Sequence, residues 1–296
     1  LKIDYETAKN INPNIVYCSI SGFGRTGPLK NAKGYDVILQ AFSGMMAITG
    51  EPEGAPVRSP FSPIDQATGM HAAIGILAAI IKRMKTGQGT LVEASLFDTS
   101  IGFLGYVAQS FWERQSEPKR WGSAHESLCP YQVFDAQDRP FLLGVANDSL
   151  WQAFCRATGA HELAQDARFM TNADRVGHRA ETLDEVQRIL LQHPRDYWLE
   201  LLTNAGIPCA SIQEIGEMLS HPHTRESGII QEFTRGEGAP FNVVAQPLRF
   251  NGERNALRYP PPGLGQHTKE VLLALGYGAA DIDAFIHNGS VQDSSQ

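Results

Sequence analysis

The sequence is poor in cysteine and in positive charge, and each shortage excludes a class of protein. Its four cysteines are far apart and form no CxxC pair, so neither a disulfide-rich scaffold nor a zinc ribbon is expected. The formal net charge is −7, which argues against a nucleic-acid-binding protein. We therefore expect a reducing compartment, either the cytoplasm or, in a eukaryote, the mitochondrial matrix.

Long apolar runs are also missing. The longest uncharged apolar run, residues 72–81, is much shorter than the roughly 20 residues of a bilayer-spanning helix, so no membrane association is predicted. The chain begins at Leu1 with neither a methionine nor the apolar segment of a signal peptide. We expect it to continue from a longer protein.

Apolar residues make up 42% of the chain and charged residues 19%, which is typical of a globular protein with a substantial core. Strand and helix patterns alternate in the first part of the sequence. Strands are predicted at 14–21 and 90–94, and helices at 35–46, 66–85 and 97–112. This alternation indicates an α/β architecture with a largely parallel sheet, and we assign residues 1–115 to a large α/β domain.

The pattern changes after residue 116. Residues 131–134 and 141–145 are predicted to form a hairpin, and helices follow to about residue 219. We assign residues 122–230 to a smaller α+β domain. Residues 235–296 are expected to return to the large domain.

Residues 22–27 read GFGRTG and match the GxGxxG pattern of a dinucleotide-binding turn after a strand. That pattern needs a following helix whose N-terminus faces the pyrophosphate. Here Pro28 follows at once and Gly34 interrupts the next segment, so a dinucleotide site is not predicted. We expect the loop to position three basic residues, Arg25, Lys30 and Lys33.

The sequence also lacks the parts of several common active sites. It has no HExxH pattern, no GxSxG elbow and no cysteine with an obvious neighbouring base. Hydride transfer, zinc hydrolysis and serine hydrolysis are therefore not expected, and no metal site is predicted. His71, in an alanine-rich helix, is interpreted as a packed or partly exposed side chain.

Asp65 stands where a proline-broken segment turns into a long, almost uncharged helix. It is well placed as an N-cap, because a carboxylate there accepts hydrogen bonds from the free amides of the first turn. Position 68 is threonine and completes no capping box. A carboxylate at a helix N-terminus is also held ionised and fixed in orientation, as a nucleophile requires. Both roles stay open from the residues alone.

Several segments, taken together and in order, resemble the family III CoA-transferases, which include formyl-CoA transferase and L-carnitine CoA-transferase. The resemblance covers nearly the whole chain. It implies a Rossmann-like large domain, incomplete here because the family's N-terminal part has no counterpart, plus a smaller α+β domain. The matching segments are GYD at 34–36, SGMMAITG at 43–50, Asp65 followed by 69–79, KTGQG at 85–89, RWGSAH at 120–125, PYQVF at 130–134 and PPPGLGQHT at 260–268.

The resemblance implies that Asp65 is the catalytic aspartate, which forms an anhydride with the acyl group and then a thioester with CoA. Coenzyme A is then a substrate, and no permanently bound cofactor is expected. The family's CoA-contact segment matches Lys33, Gly34, Tyr35 and Asp36, with Tyr35 lining the acyl pocket. The family's glycine-rich lid matches Gly122, Ser123, Ala124 and His125, although this loop has a single glycine.

Two other activities are compatible with an aspartate at this position. A related enzyme, α-methylacyl-CoA racemase, pairs the aspartate with a histidine in a Gly-His-Asp element. Here that position is Tyr35, whose ordinary pKa near 10 suits proton exchange at neutral pH poorly. We therefore favour transfer over racemisation. A non-catalytic CoA-binding homologue is the remaining alternative.

The run KRWGSAH at 119–125 resembles members that use dicarboxylic acids such as succinate or glutarate derivatives. Arg120 or Arg58 could bind a second carboxylate, or either could be a solvated surface arginine. The family also implies an interlocked homodimer. Because much of its CoA site lies in the N-terminal part, we expect residues 1–296 alone to bind CoA weakly.

Overall fold

The computed structural model describes residues 2–234, 239–259 and 261–294. The chain divides into two compact units, Leu1–Ser211 and Ile212–Gln296. The domain assignments 1–115, 122–230 and 235–296 stay predictions. Residues 235–238, and Pro260 of the proline-rich motif, lie outside the described residues.

The first unit begins with alternating helices and strands. The two strands pair in parallel, from Val16 opposite Thr90 to Ser21 opposite Ser95, which confirms the predicted α/β class. The elements are α1 (Tyr5–Ile11), β1 (Val16–Ser21), α2 (Asp36–Phe42), a 3-10 turn (Met46–Ile48), α3 (Pro63–Thr86), β2 (Thr90–Ser95), α4 (Leu96–Phe103) and α5 (Gly105–Arg114).

Helix α3 packs along both β1 and β2. A glycine at position 75 permits this close approach, because a Cβ atom there would lie 2.7 Å from Cγ1 of Val92. By length and composition alone α3 would also pass as a membrane span. Packed helices of globular proteins meet the same criteria, so the prediction of no membrane association stays a prediction.

One predicted helix, 97–112, is two helices in the structure. The break lies at Leu104, whose φ of −90° and ψ of 8° leave the helical region. Gly102 and Gly105 flank it, and glycine weakens a helix because it loses more conformational freedom than other residues when the backbone is ordered. The apolar periodicity that crosses the break did not reveal it.

The second part of the first unit is an antiparallel sheet covered by helices. The predicted hairpin is confirmed, with Tyr131 opposite Gly144 and Asp135 opposite Pro140. A third strand joins its second strand, so the order is β3-β4-β5. The elements are β3 (Tyr131–Asp135), β4 (Pro140–Gly144), α6 (Asp148–Thr158), α7 (Asn172–Gly177), α8 (Arg179–Leu190), α9 (Arg195–Asn204) and β5 (Cys209–Ser211).

A buried arginine holds this second part together. The guanidinium of Arg175 is fully buried and donates to the carbonyls of Cys129 (2.8 Å) and Phe169 (2.9 Å). It also forms an ion pair with Asp148 at 2.9 Å and lies over the ring of Trp151. Removing one partner of a buried charge is strongly destabilising, because the charge is then left without compensation.

Among its described residues, the second unit contains short helices and a pair of antiparallel strands. Strands β6 and β7 are antiparallel, with Ile230 opposite Val244. The elements are α10 (Ile215–Ser220), α11 (Pro222–Glu226), β6 (Ile230–Thr234), β7 (Pro240–Val244), α12 (Thr268–Ala274) and α13 (Ala279–His287).

Candidate active site at the start of helix α3

Asp65 lies inside the first turn of α3 and does not cap it. The helix begins at Pro63, with Ser62 at the N-cap position. Proline suits the first helical position because its missing N–H would have no partner there and its φ is already helical. The expected N-cap role of Asp65 is therefore wrong.

A carboxylate from another helix takes that role. Oδ2 of Asp36, the first residue of α2, accepts hydrogen bonds from the backbone N–H groups of Ile64 (2.8 Å) and Asp65 (3.1 Å). The Asp36 side chain is only 6% exposed. Its negative charge also suits the positive end of the α3 dipole. Asp36 thus fixes the turn that carries Asp65.

Gln40 extends this contact, and sequence reasoning missed it. Its Nε2 donates to Oδ1 of Asp36 at 2.5 Å, and its Oε1 accepts from the backbone N–H of Ser59 at 2.9 Å. The residue is 2% exposed. The available signal was one amide within an otherwise apolar run at 37–42, four residues after Asp36.

The Asp65 side chain is exposed at the protein surface. No hydrogen bond or ion pair engages its carboxylate within the part of the chain that the structure describes. Partial burial, and secondly the negative charge of Asp36, raise the pKa of this carboxyl group above its ordinary value of 3.8. The site therefore presents an unpaired carboxylate on a rigid helix turn.

The predicted CoA-contact segment leads directly into this site. Lys33 and Tyr35 are exposed, and Tyr35 (72% exposed) is the N-cap residue of α2. Asp36, the next residue, bonds to the turn of Asp65. The structure therefore brings Tyr35 and Asp36 next to the start of α3. A role in CoA binding stays a prediction for all four residues, and Asp36 already has the partners given above.

The glycine-rich loop has a structural explanation. Gly22 and Gly34 lie so close that a Cβ atom on Gly34 would be 2.8 Å from Cα of Gly22. The next helix after the loop begins only at Asp36, and the absence of a dinucleotide site stays a prediction. Of its basic residues, Arg25 donates to Oγ of Ser19.

The loop 122–125 is tied to its surroundings. The N–H of Gly122 donates to the carbonyl of Gly50 at 2.9 Å, Oγ of Ser123 accepts from Val133 N–H, and His125 N–H donates to Tyr131. Ala124 N–H donates to the carbonyl of Trp121 at 2.9 Å, just before the loop. No hydrogen bond joins this loop to Asp65 in the described residues, so its lid role stays a prediction.

The two candidate arginines differ. Arg120 donates to three backbone carbonyls, those of Ala47, Glu51 and Gly54, and so anchors the loop 122–125 to the 47–54 segment. Arg58 is exposed in the loop that leads to α3, and no ion pair or hydrogen bond engages its side chain among residues 2–234. Arg58 is therefore the better placed to receive a carboxylate.

His71 is exposed, with Nδ1 3.2 Å from Oγ1 of Thr99, as expected of a partly exposed histidine. Within residues 2–234, 239–259 and 261–294, no three His, Cys, Asp or Glu side chains are grouped to hold a metal ion.

Comparisons with known proteins identify the family of this chain. Residues 1–268 match the family model described as CoA-transferase family III. The chain is 33% identical to mouse succinyl-CoA:glutarate CoA-transferase over 291 residues, which are 98% of this chain and 67% of that protein. It is 35% identical over 293 residues to an acyl-CoA transferase of Fusarium pseudograminearum, again 98% of this chain and 64% of the relative.

A solved structure shows the same fold. The crystal structure of a CAIB/BAIF family protein from Brucella suis is 33% identical, with a TM-score of 0.77, and the match covers 93% of this chain and 71% of that one. The chain spans about two thirds of the length of the curated relatives named here. Since the family model matches most of the sequence and the fold agrees, the chain belongs to CoA-transferase family III.

Proposed function

We propose that this chain belongs to a CoA-transferase that moves CoA from an acyl-CoA thioester to a free carboxylic acid. The observation that carries the proposal is the exposed, unpaired carboxylate of Asp65 in the first turn of α3. A carboxylate nucleophile divides a difficult step into easier ones, which suits a thioester exchange whose two sides are nearly equal in energy. The resemblance to the family also implies that Asp65 is the catalytic aspartate.

The proposed reaction has four steps. An oxygen of Asp65 attacks the thioester carbon, which expels the CoA thiolate and leaves a mixed anhydride. The thiolate attacks the aspartyl carbonyl, so the first carboxylate departs and an aspartyl-CoA thioester remains. The acceptor carboxylate then attacks this thioester and expels the thiolate, forming a second anhydride. Attack of the thiolate on the acceptor's carbonyl carbon gives the new acyl-CoA and restores Asp65.

A dicarboxylic acid is the proposed acceptor. Relatives from mouse and Agrobacterium fabrum are named for transfer between succinate and glutarate. Arg58 could bind the acceptor's second carboxylate, because a guanidinium forms two parallel hydrogen bonds to such a group. Lys33 and Tyr35 are proposed to contact CoA. We further propose the interlocked homodimer and a cytoplasmic or mitochondrial location, and solution scattering of the complete protein tests the dimer.

Trapping the covalent intermediate tests the proposal. The complete protein, given succinyl-CoA without an acceptor, should accumulate an adduct on the peptide that contains Asp65, which hydroxylamine or borohydride converts to a stable mass change. Asp65→Asn is the matched control and should give neither adduct nor transfer, because an amide cannot form the anhydride. Substantial transfer by Asp65→Asn would refute the mechanism, and a wild type that transfers CoA from succinyl-CoA to no member of a panel of mono- and dicarboxylic acids would refute the function.

The acceptor assignment has its own test. Arg58→Gln should raise the KM for glutarate by roughly tenfold or more, the cost of losing a charge-assisted hydrogen bond, and leave the KM for a monocarboxylate such as propionate unchanged. Arg114→Gln removes another exposed arginine, paired with Glu126, and should change neither. Equal effects of Arg58→Gln on both acids would contradict the assignment.

A further inference from the structure

Asp36 and Gln40 connect three segments through buried hydrogen bonds. The connection runs from the backbone of Ser59, through Gln40 and Asp36 on α2, to the backbone of Ile64 and Asp65 on α3. We propose that Asp36 and Gln40 are positioning residues, whose hydrogen bonds hold the first turn of α3 in the orientation that aims Asp65 at the thioester. This inference rests on the proposed function.

The direction of each hydrogen bond in this connection is determined. The N–H of Ser59 can only donate, so the oxygen of the Gln40 amide must face it and the nitrogen must face Asp36. On the other side, the N–H groups of Ile64 and Asp65 can also only donate. The side chain at position 36 must therefore accept on both of its terminal atoms, which a carboxylate does and an amide does not.

The connection acts on Asp65 directly. The N–H of Asp65 is one of the two α3 donors that Asp36 accepts, so breaking the connection releases the backbone of the proposed nucleophile itself. Asp36 and Gln40 are 6% and 2% exposed, so water cannot replace the lost partners without local opening. A reacting group displaced by about 1 Å can lose a hundredfold in rate.

The donor and acceptor roles of the hydrogen bond between positions 36 and 40 can be exchanged by substitution. Asp36→Asn places an N–H against either the Gln40 amide or the α3 amides, whichever way the new side chain turns. Gln40→Glu places two carboxylate oxygens against each other. The double variant Asp36→Asn/Gln40→Glu restores every contact, because the new carboxylate at position 40 would accept from Ser59 and from the amide at position 36, whose oxygen faces α3.

The experiment compares these three variants with the wild-type complete protein. We measure kcat and KM for succinyl-CoA, the melting temperature, and the hydrogen exchange of the peptide covering residues 62–68. Each single variant should lose roughly tenfold to a hundredfold in kcat with KM little changed, and its 62–68 amides should exchange faster. The double variant should recover most of the kcat and the slow exchange.

A control separates this effect from loss of any capping aspartate. Asp4 caps α1 by accepting from the N–H of Thr7 at 2.9 Å, and Asp4→Asn should leave kcat unchanged. The proposal is overturned if the single variants keep the wild-type kcat, or if they lose only melting temperature. It is equally overturned if the double variant, folded or not, is no better than the single variants.

The proposed function can fail separately. A wild type that transfers no CoA refutes the function, whereas the hydrogen exchange of residues 62–68 still reports on the connection. If exchange is then fast in both single variants and slow in the double variant, the hydrogen bonds hold the turn as proposed. If exchange is alike in all variants, the connection does not hold it.

Discussion

Two regions of the first unit, 2–115 and 122–211, differ in how much of their apolar side-chain surface is buried. In 122–211 one continuous core cluster is formed, and its largest completely buried members are Trp151, Phe141, Phe154 and Phe169. In 2–115, all of which the structure describes, the core cluster is Leu39, Ile64 and Leu96. The core of the first region is therefore small, whereas the core of the second region is extensive.

Because the core of 2–115 is small, this region exposes apolar side chains at its surface. One face of α3 carries an apolar stripe in which every member is more than half exposed: Met70, Ile74, Leu77, Ile81 and Met84. The spacing of three and four residues places them on one side of the helix. Contiguous apolar surface of this kind is typical of a face that packs against other protein. The sequence of 2–115 therefore forms regular helices and strands although many of its apolar side chains remain exposed.

Matched leucines give the largest expected difference between the regions. Leu202 is completely buried in 122–211, and Leu77 is 61% exposed on α3. In the 296-residue chain, Leu202→Ala should lower the free energy of unfolding by about 2–5 kcal/mol, because it leaves a cavity. Leu77→Ala should change it by less than about 0.5 kcal/mol, as exposed substitutions do.

Urea unfolding of both variants measures this difference, and equal losses would contradict the comparison. The free energy of unfolding of Leu77→Ala should also be measured in the complete protein. A loss approaching that of Leu202→Ala there would show that the stripe is covered in the complete protein.

A smaller effect concerns the stripe as a surface. An apolar fluorescent dye should bind the 296-residue chain, and Ile74→Glu/Leu77→Glu should reduce the bound fluorescence severalfold, because a charge in the middle of an apolar face repels such a ligand. Lys82→Glu changes an exposed polar position of the same helix and should leave the dye signal unchanged. Equal fluorescence from the stripe variant and the wild type would place the apolar surface elsewhere.

Sequence patterns predicted the elements of both regions, because periodicity depends on neighbours along the chain. The strands β1 and β2, the hairpin β3–β4 and most of α3 lie within a few residues of their predicted positions. The cap of α3 could not be predicted in this way, since Asp36 reaches it from a helix 28 residues earlier. For the same reason the roles of Gln40 and Arg120 appeared only in three dimensions.

The smallest expected effects concern the pH dependence of stability at two aspartates. The pKa shifts of these aspartates have opposite directions in the two regions. In 2–115, partial burial and Asp36 raise the pKa of Asp65 above 3.8. In 122–211, hydrogen bonds from backbone N–H groups, first that of Arg195, lower the pKa of Asp138 below 3.8. A raised pKa means that the folded state prefers the protonated form, and a lowered pKa means that it prefers the ionised form.

The consequences for stability follow from these directions. Asp65 contributes stability that is fully present below pH 3.8 and is lost as the pH rises through its higher folded-state pKa, whereas Asp138 contributes stability that is present above pH 3.8 and is lost as the pH falls through its lower folded-state pKa. Relative to wild type, Asp65→Asn should therefore gain stability as the pH rises above 3.8, and Asp138→Asn should lose stability as the pH rises towards 3.8. Urea unfolding at a series of pH values from about 2.5 to 6.5, spanning the ordinary aspartate pKa, measures both slopes. Slopes of the same sign would contradict one of the two pKa directions, the raised pKa of Asp65 or the lowered pKa of Asp138.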